Sequence, residues 1–442
     1  VIKQRQMSGR LERKRISRAA VGSWQPDLRR RSSLDLLLAQ NEDRLVELAP
    51  IRHARMASSA WHYYRGAAAV MAADLAAAPH TNLSVQLCGD AHVLNFGLWA
   101  TPERNLAFDL RDFDETLPGP FEWDVKRLVT SLVVASQVNS RKSLAAAAVE
   151  SCLRSYRDHM FAFAGSSELD VWYDATHVDQ MLDVFTQPEA RERLSAHISR
   201  KAARRTSRGA LEKLTEVRGG RVRITENRPF RVHLGADEHD RAARALDSYR
   251  DSLSEDHRYL LDRFRLVDVV RQVVGVGSVG MRVYLALLEG RSGDDPLFLQ
   301  VKQAGPSVYE RYLAPSAHAN SGERVVVGKR LIQSATDIFV GWTAVGDEQY
   351  YVRQFRDMKV IPDSDRLKPY LVDFAAACGA VLARAHARTG DAVAIASYIG
   401  LGGPFDRAMA SYANAYAAQN GRDHAVLVHA IATGQVAAGP AW

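Results

Sequence analysis

Apolar and polar positions alternate between helical and strand-like patterns in blocks along the 442-residue chain. From Ser33 to Ala78 the spacing is mainly helical; Ala60 to Ala78 is rich in Ala, Met and Leu, and Pro79 stops it. The next forty residues predict short strands at Leu83–Leu87, Phe96–Trp99 and Leu106–Leu110, separated by a polar loop, Cys88–Asn95, and by the turn Thr101–Asn105. Helical spacing returns from Trp123 to about Gly165 and from Glu189 to Glu216. At about Arg263 the period changes again. Leu266–Val274, Met281–Glu289, Pro296–Val301, Asp337–Val345 and Gln349–Phe355 read as strands, with a helix over Gly322–Ser334. From Pro369 onward the chain reads as mostly helical. The expected fold class is therefore α+β and two-lobed, with a small β-rich lobe inserted between two helical segments. Its divisions are a basic flexible tail over 1–32, a helical lobe over 33–262, a β-rich lobe over 263–362 and the remainder of the helical lobe over 363–442.

Composition narrows the class. Hydrophobic residues make up 47% and charged residues 25%, as in globular proteins, which excludes a disordered or collagen-like chain. No apolar run approaches the roughly 18 residues that span a bilayer, so no membrane partner is expected. Cys88, Cys152 and Cys378 have no spacing that would build a zinc site or a disulfide framework. Residues 1–31 carry ten basic against two acidic groups, so the net charge of +7 belongs to this stretch and the rest is nearly neutral. The stretch lacks the apolar centre of a secretion signal, and a cytoplasmic location is expected. A second basic run, Lys201 to Arg223, has no interleaved aromatics, so nucleic-acid binding is not expected.

The segment most suggestive of chemistry is Gly89-Asp90-Ala91-His92-Val93-Leu94-Asn95, followed by Asp109-Leu110-Arg111-Asp112-Phe113-Asp114. Phosphoryl transfer needs a carboxylate to orient the nucleophile and oxygen ligands to hold Mg²⁺ on nucleotide phosphates. An Asp with an Asn five residues later, on a loop between short strands, can present both on one side, and an Asp after the next hairpin supplies a further ligand. Asp90, Asn95 and Asp112 have that order, with Asp109 and Asp114 as substitutes for Asp112. Turn formation also gathers Asp and Asn in loops, and for any single residue that explanation stays open.

Gly89–Asn95 resembles the catalytic loop of aminoglycoside phosphotransferases and other kinase-like enzymes, and Asp112-Phe113-Asp114 resembles their metal-binding Asp-Phe-Gly. Two positions depart from the pattern: Cys88 stands where the first His is usual, and Asp114 replaces the Gly. More closely, Tyr64-Arg65-Gly66-Ala67, Gln86–Phe96 and Phe108–Trp123 are similar to a bacterial family known as domain of unknown function 2252. That resemblance implies no particular substrate.

Gly275-Val276-Gly277-Ser278-Val279-Gly280 is a G-x-G-x-x-G sequence that could also open a Rossmann helix. The strand-like continuation from Met281 instead places Gly275, Gly277 and Gly280 in a β-hairpin, where their backbone can cover phosphates. Leu297–Lys302 resembles the kinase strand that bears the phosphate-anchoring lysine. Lys302 would then pair with Glu323 on the following helix, with Glu310 as the less suitable partner. The two constellations stand in reverse order to a kinase, so either one match is accidental or the chain is circularly permuted. Leu371–Arg388, which resembles the helix preceding the catalytic loop, favours permutation.

The resemblance implies a kinase-like, ATP- and Mg²⁺-dependent phosphotransferase that binds a nucleotide and acts on a small-molecule or protein acceptor. Asp90 would be the base, Asn95, Asp112 and Asp114 the metal ligands, and adenine would rest against the link after Tyr351–Phe355. A catalytically silent nucleotide-binding regulator and a nucleotidyl transferase are the alternatives.

Overall fold

A computed structural model describes residues 1–26, 30–137, 142–183, 185, 188–356, 358–360 and 368–440. It is a mixed α+β structure whose strands fall into two regions. In the first, β1 (Ser84–Leu87), β2 (Phe96–Ala100), β3 (Leu106–Leu110) and β4 (Leu117–Pro120) form two antiparallel pairs, β1 with β4 and β2 with β3. The helix Phe121–Gln137 follows directly, and Lys142–Ala164 packs beside it. The chain then leaves this lobe and returns at its end, where Leu371–Thr389 lies along Lys142–Ala164 and Pro404–Ala432 lies along Phe121–Gln137. Leu128, Leu132, Val149, Leu153, Val381 and Leu382 interlock in one core.

Between these helical segments stand the β5–β6 hairpin (Thr215–Arg218 and Arg221–Ile224) and a six-stranded antiparallel sheet. The sheet comprises β7 (Arg231–His233), β8 (Arg265–Gln272), β9 (Val283–Glu289), β10 (Pro296–Ala304), β11 (Gly341–Val345) and β12 (Glu348–Gln354). Their spatial order is β11-β12-β10-β9-β8-β7. Alternate side chains of a strand face opposite ways. Ala286, Leu288, Leu299 and Val301 therefore pack under the helix Ala236–Ser248, while Leu285, Leu287 and Phe298 pack against Ala210 and Leu214 on the other face. Covered on both sides, β9 and β10 read as nearly continuous apolar runs.

The helix Ser321–Ile332 joins the two regions. Its Val325, Val326 and Ile332 enter the same core as Phe113 and Leu117, and a side chain at Gly328 would lie 2.5 Å from Thr116. This close approach holds the sheet over the β1–β4 loops.

Several expectations need correction. The basic N-terminal stretch is not a flexible tail over its described part: Ile2–Arg15 is a helix whose buried Gly9 sits against Ala394 and Ser397, and Arg30 bridges Asp74 and Asp423. The helix expected to continue to Glu216 ends at Leu214, where β5 begins. The sheet starts before Arg263, because β7 adds to β8. Asp27 and Arg29 lie outside the described residues. Among the described residues, no helix is long and apolar enough to cross a membrane, and the three cysteines are buried and unbridged.

Candidate functional site

β1 delivers the chain to Gly89, whose φ of +86° suits glycine; a Cβ there would lie 2.2 Å from the Glu115 carbonyl oxygen. The backbone amides of Cys88 and Gly89 donate to the fully buried Asp124 carboxylate at 2.7 and 3.1 Å, and Tyr309 donates its hydroxyl to the Gly89 carbonyl at 2.7 Å. The loop is thus pinned by both regions before it reaches Asp90.

Asp90 accepts a 2.8 Å hydrogen bond from Arg127 Nε. Arg127 is itself locked: its Nη2 donates to the Tyr64 carbonyl at 2.7 Å, and its guanidinium lies 3.9 Å from the Tyr64 ring centre. Burial pushes the Asp90 carboxyl up from its ordinary value, with Arg127 opposing. His92 Nε2 stands 3.8 Å from Asp90, and burial holds this imidazole well below its usual range.

Asn95 braces the two loops. Its Nδ2 donates to the carbonyls of Asp90 at 2.9 Å and Asp112 at 3.0 Å, and its Oδ1 accepts from the Asp112 amide at 2.7 Å. It is buried, with its amide engaged by backbone, and in this arrangement it braces Asp90 and Asp112 against each other.

Asp112 has a side chain 45% exposed, yet its Oδ1 is buried without a hydrogen-bond partner. Burial would raise its carboxyl; the nearby Lys302, Arg353, Lys359 and Arg111 outweigh that and hold it well below the usual carboxylate range. Lys302, buried on β10, has its ammonium 3.9 Å from Asp112 Oδ1 and in direct contact with Asp114 Oδ2. Tyr351 donates to Asp114 Oδ1 at 2.8 Å. Burial opposes the Lys302 charge, but Asp112 and Asp114 keep the ammonium protonated well above its ordinary range.

Glu323 is not the partner of Lys302. It faces His318 at 3.5 Å, and Glu310 caps its own turn by accepting from the Ser307 amide. What the helix Ser321–Ile332 contributes is Arg324, which donates to the carbonyls of Thr116, Asp114 and Gly305 at 2.6–2.8 Å. Asp109 is removed from the cleft altogether: it is fully buried in an ion pair with Arg384 and accepts from Ser334.

The glycine segment connects β8 to β9. Gly275 and Gly277 line a cleft of about 460 Å³ whose other wall includes Asp90, Asp112 and Asp114. Gly280 does not line it; its φ is +92° and its α-carbon packs on Arg44. The Gly277 carbonyl accepts from Arg44 and the Gly275 carbonyl from Arg55, both at 2.7 Å. Arg65, which was not among the expected site residues, lines the same cleft with a buried, unbonded Nε. Its place beside Asp90 could have been suspected from the Tyr64-Arg65-Gly66 resemblance. Glu115 lines it too, pushed up to about 7 by burial.

Tyr351–Phe355 do not line this cleft, and positions 357 and 361–367 of the link after them, where adenine was expected, lie outside the described residues. Arg353 and Gln354 instead border a second, smaller cavity beyond Arg111. The sequence neighbours Arg111 and Asp112 therefore face different spaces.

Among the described residues no group of three or more His, Cys, Asp or Glu side chains could hold a metal ion. Mg²⁺ bound with a nucleotide needs only one or two carboxylates, because phosphate oxygens and water complete its shell. The unpartnered Asp112 Oδ1, next to Asp114, meets that smaller requirement.

The chain belongs to the family DUF2252, described as uncharacterized proteins conserved in bacteria, whose model matches residues 44–430. No curated protein and no solved structure matches it.

Proposed function

We propose that this protein is an ATP- and Mg²⁺-dependent phosphotransferase built on a circularly permuted, kinase-like fold. The observation that carries the proposal is that Asp90 and Asp112, braced by Asn95, face Gly275 and Gly277 across one cleft, although the two groups lie far apart in the chain.

The sheet supports this reading. The glycine segment joins β8 to β9, Lys302 sits on the next strand, and a helix follows it; kinases place the glycine-rich loop, the third-strand lysine and the following helix in that sequence. The chain's return supports permutation. In an unpermuted kinase-like chain the helix resembled by Leu371–Arg388 would lead into the catalytic loop, and here its end lies against β1. The Gln86 amide donates to Thr389 Oγ1 at 3.1 Å, and a side chain on Gly390 would meet Val85 at 2.6 Å. Joining these ends in space needs no rearrangement of the core, which is why permutation costs little.

In the reaction, Asp90 orients the acceptor hydroxyl and takes its proton, with Arg127 fixing the carboxylate. Asp112 and Asp114 would hold Mg²⁺, which neutralises charge on the transferred phosphoryl group. Arg65 places a further positive charge on the cleft wall. Lys302 keeps Asp112 ionised.

The direct test is the thermal midpoint with and without Mg·ATP. A ligand bound only by the folded state at a hundredfold excess over Kd adds about 2.7 kcal/mol, so the midpoint should rise. No rise at millimolar Mg·ATP contradicts the proposal.

A further inference from the structure

We propose that the small cavity beyond Arg111 is a binding site for a phosphate group, separate from the cleft that holds Asp90 and Asp112. Arg111, Lys329, Arg353 and Lys359 converge on it, with Trp99 at its border. The lining carboxylate, Asp337, is already engaged: its Oδ1 accepts from the Phe339 amide at 2.8 Å and its Oδ2 from the Gln354 amide at 2.5 Å.

The cations are under-satisfied. Arg111 uses Nη2 on the Leu94 carbonyl at 2.9 Å, while its Nε and Nη1 are buried with no partner. Arg353 directs Nε and Nη2 at one acceptor, Gln300 Oε1, at 3.1 and 2.9 Å. Lys329 is 8% exposed. Among the described residues, neither its ammonium nor that of Lys359 has a hydrogen-bond or ion-pair partner. Four like charges gathered around one partly buried cavity, with only Asp112 and Asp337 as nearby carboxylates, leave an excess of positive charge that a bound anion would offset. A phosphate group, with up to two negative charges and several acceptor oxygens, suits two guanidinium forks and two ammonium groups better than a single carboxylate. The cavity measures about 50 Å³, room for one such group where a single water needs roughly 10–15 Å³.

The phosphate could come from a nucleotide or from a phosphorylated small molecule, and the two are separable. The site does not rest on the phosphotransferase reading, because its test omits Mg²⁺ and requires no turnover. Calorimetric titration and thermal midpoints would be measured on the full chain at fixed ionic strength with inorganic phosphate, pyrophosphate, ATP and a sugar phosphate, for the parent, Lys329→Met and Lys359→Met. The parent should bind phosphate saturably where chloride has no effect. Lys329→Met should raise the midpoint in the absence of anion, by removing a buried charge from a cluster of cations, yet weaken phosphate binding at least tenfold. Lys359→Met, at a more exposed position, should weaken it similarly and guards against a folding defect in the first variant. Tighter binding of pyrophosphate and ATP than of the sugar phosphate identifies the nucleotide as the source; the reverse identifies a phosphorylated small molecule. Failure of the parent to bind phosphate, or binding by both variants equal to the parent's, overturns the proposal.

Discussion

Lys302 Nζ lies 3.9 Å from Asp112 Oδ1 and contacts Asp114 directly, so β10 of the six-stranded sheet and the loop after β3 share one ion-pair group built around the buried Lys302 ammonium. Removing one partner of a buried pair leaves an uncompensated charge and costs about 3–5 kcal/mol. Lys302→Met should lose stability toward the lower end of that range in urea denaturation, because Asp112 and Asp114 keep part of their solvent contact. Glu323→Gln, whose carboxylate faces only the partly exposed His318, should stay within about 0.5 kcal/mol of the parent. Equal losses would return Glu323 to the role of anchor partner.

The carboxylates of the cleft should separate in kinetics. If Asp90 receives the acceptor proton, Asp90→Asn should cut turnover by roughly 10²–10⁴-fold while leaving Mg·ATP affinity within about threefold, since a base contributes little to ground-state nucleotide binding. ATP consumption under single-turnover conditions, with binding followed in parallel, is the check. Unchanged turnover removes Asp90 from the chemistry.

Two glycines of similar backbone conformation should respond differently to alanine. At Gly89 the new methyl would strike the Glu115 carbonyl, whereas at Gly275 it meets open space. Gly275→Ala should cost only the left-handed backbone penalty of about 1–2 kcal/mol, and Gly89→Ala considerably more, because backbone must move. Chemical denaturation of both variants measures the difference.

Lys126 offers a pH test away from the cleft. Its ammonium is buried without a hydrogen-bond partner, 4.6 Å from the Tyr412 ring centre, and burial lowers its pKa to about 8. The unfolded chain then binds more protons between about pH 8 and the ordinary lysine value, so this group's contribution to stability rises with pH across that window. Lys126→Met should abolish that rise and stabilise the protein at pH 7 by an amount on the order of 3 kcal/mol. A parent and variant with parallel stability–pH curves would show that Lys126 is not the origin.

Where the side-chain pattern dominates, sequence predicts structure closely: Leu106–Leu110 was expected as a strand and is β3, and the apolar runs of β9 and β10 follow from burial on both faces. β4 was missed because Leu117-Pro118-Gly119-Pro120 has poor strand propensity and pairs only through its fit to β1. The β5–β6 hairpin did have a signal. Gly219 and Gly220, both at positive φ, form the two-residue turn between alternating residues, but the segment was weighed only as part of a basic run. Within the candidate site, Asp90, Asn95, Asp112 and Asp114 could be named from spacing. Arg127 and Arg324 could not, because their roles depend on chain crossings that no local pattern records. Glu323 was chosen by position along a helix, while the helix turns its neighbour Arg324 inward.

The phosphotransferase account turns on a metal-dependent nucleotide site at Asp112. Calorimetric titration of ATP into the parent and Asp112→Asn, each with and without Mg²⁺, addresses it most directly. The account predicts that Mg²⁺ strengthens ATP binding to the parent and that Asp112→Asn loses at least tenfold of the Mg²⁺-dependent affinity, because a charged oxygen ligand to a hard cation is gone. Absence of ATP binding by the parent, or identical Mg²⁺-dependent binding by Asp112→Asn, would contradict it.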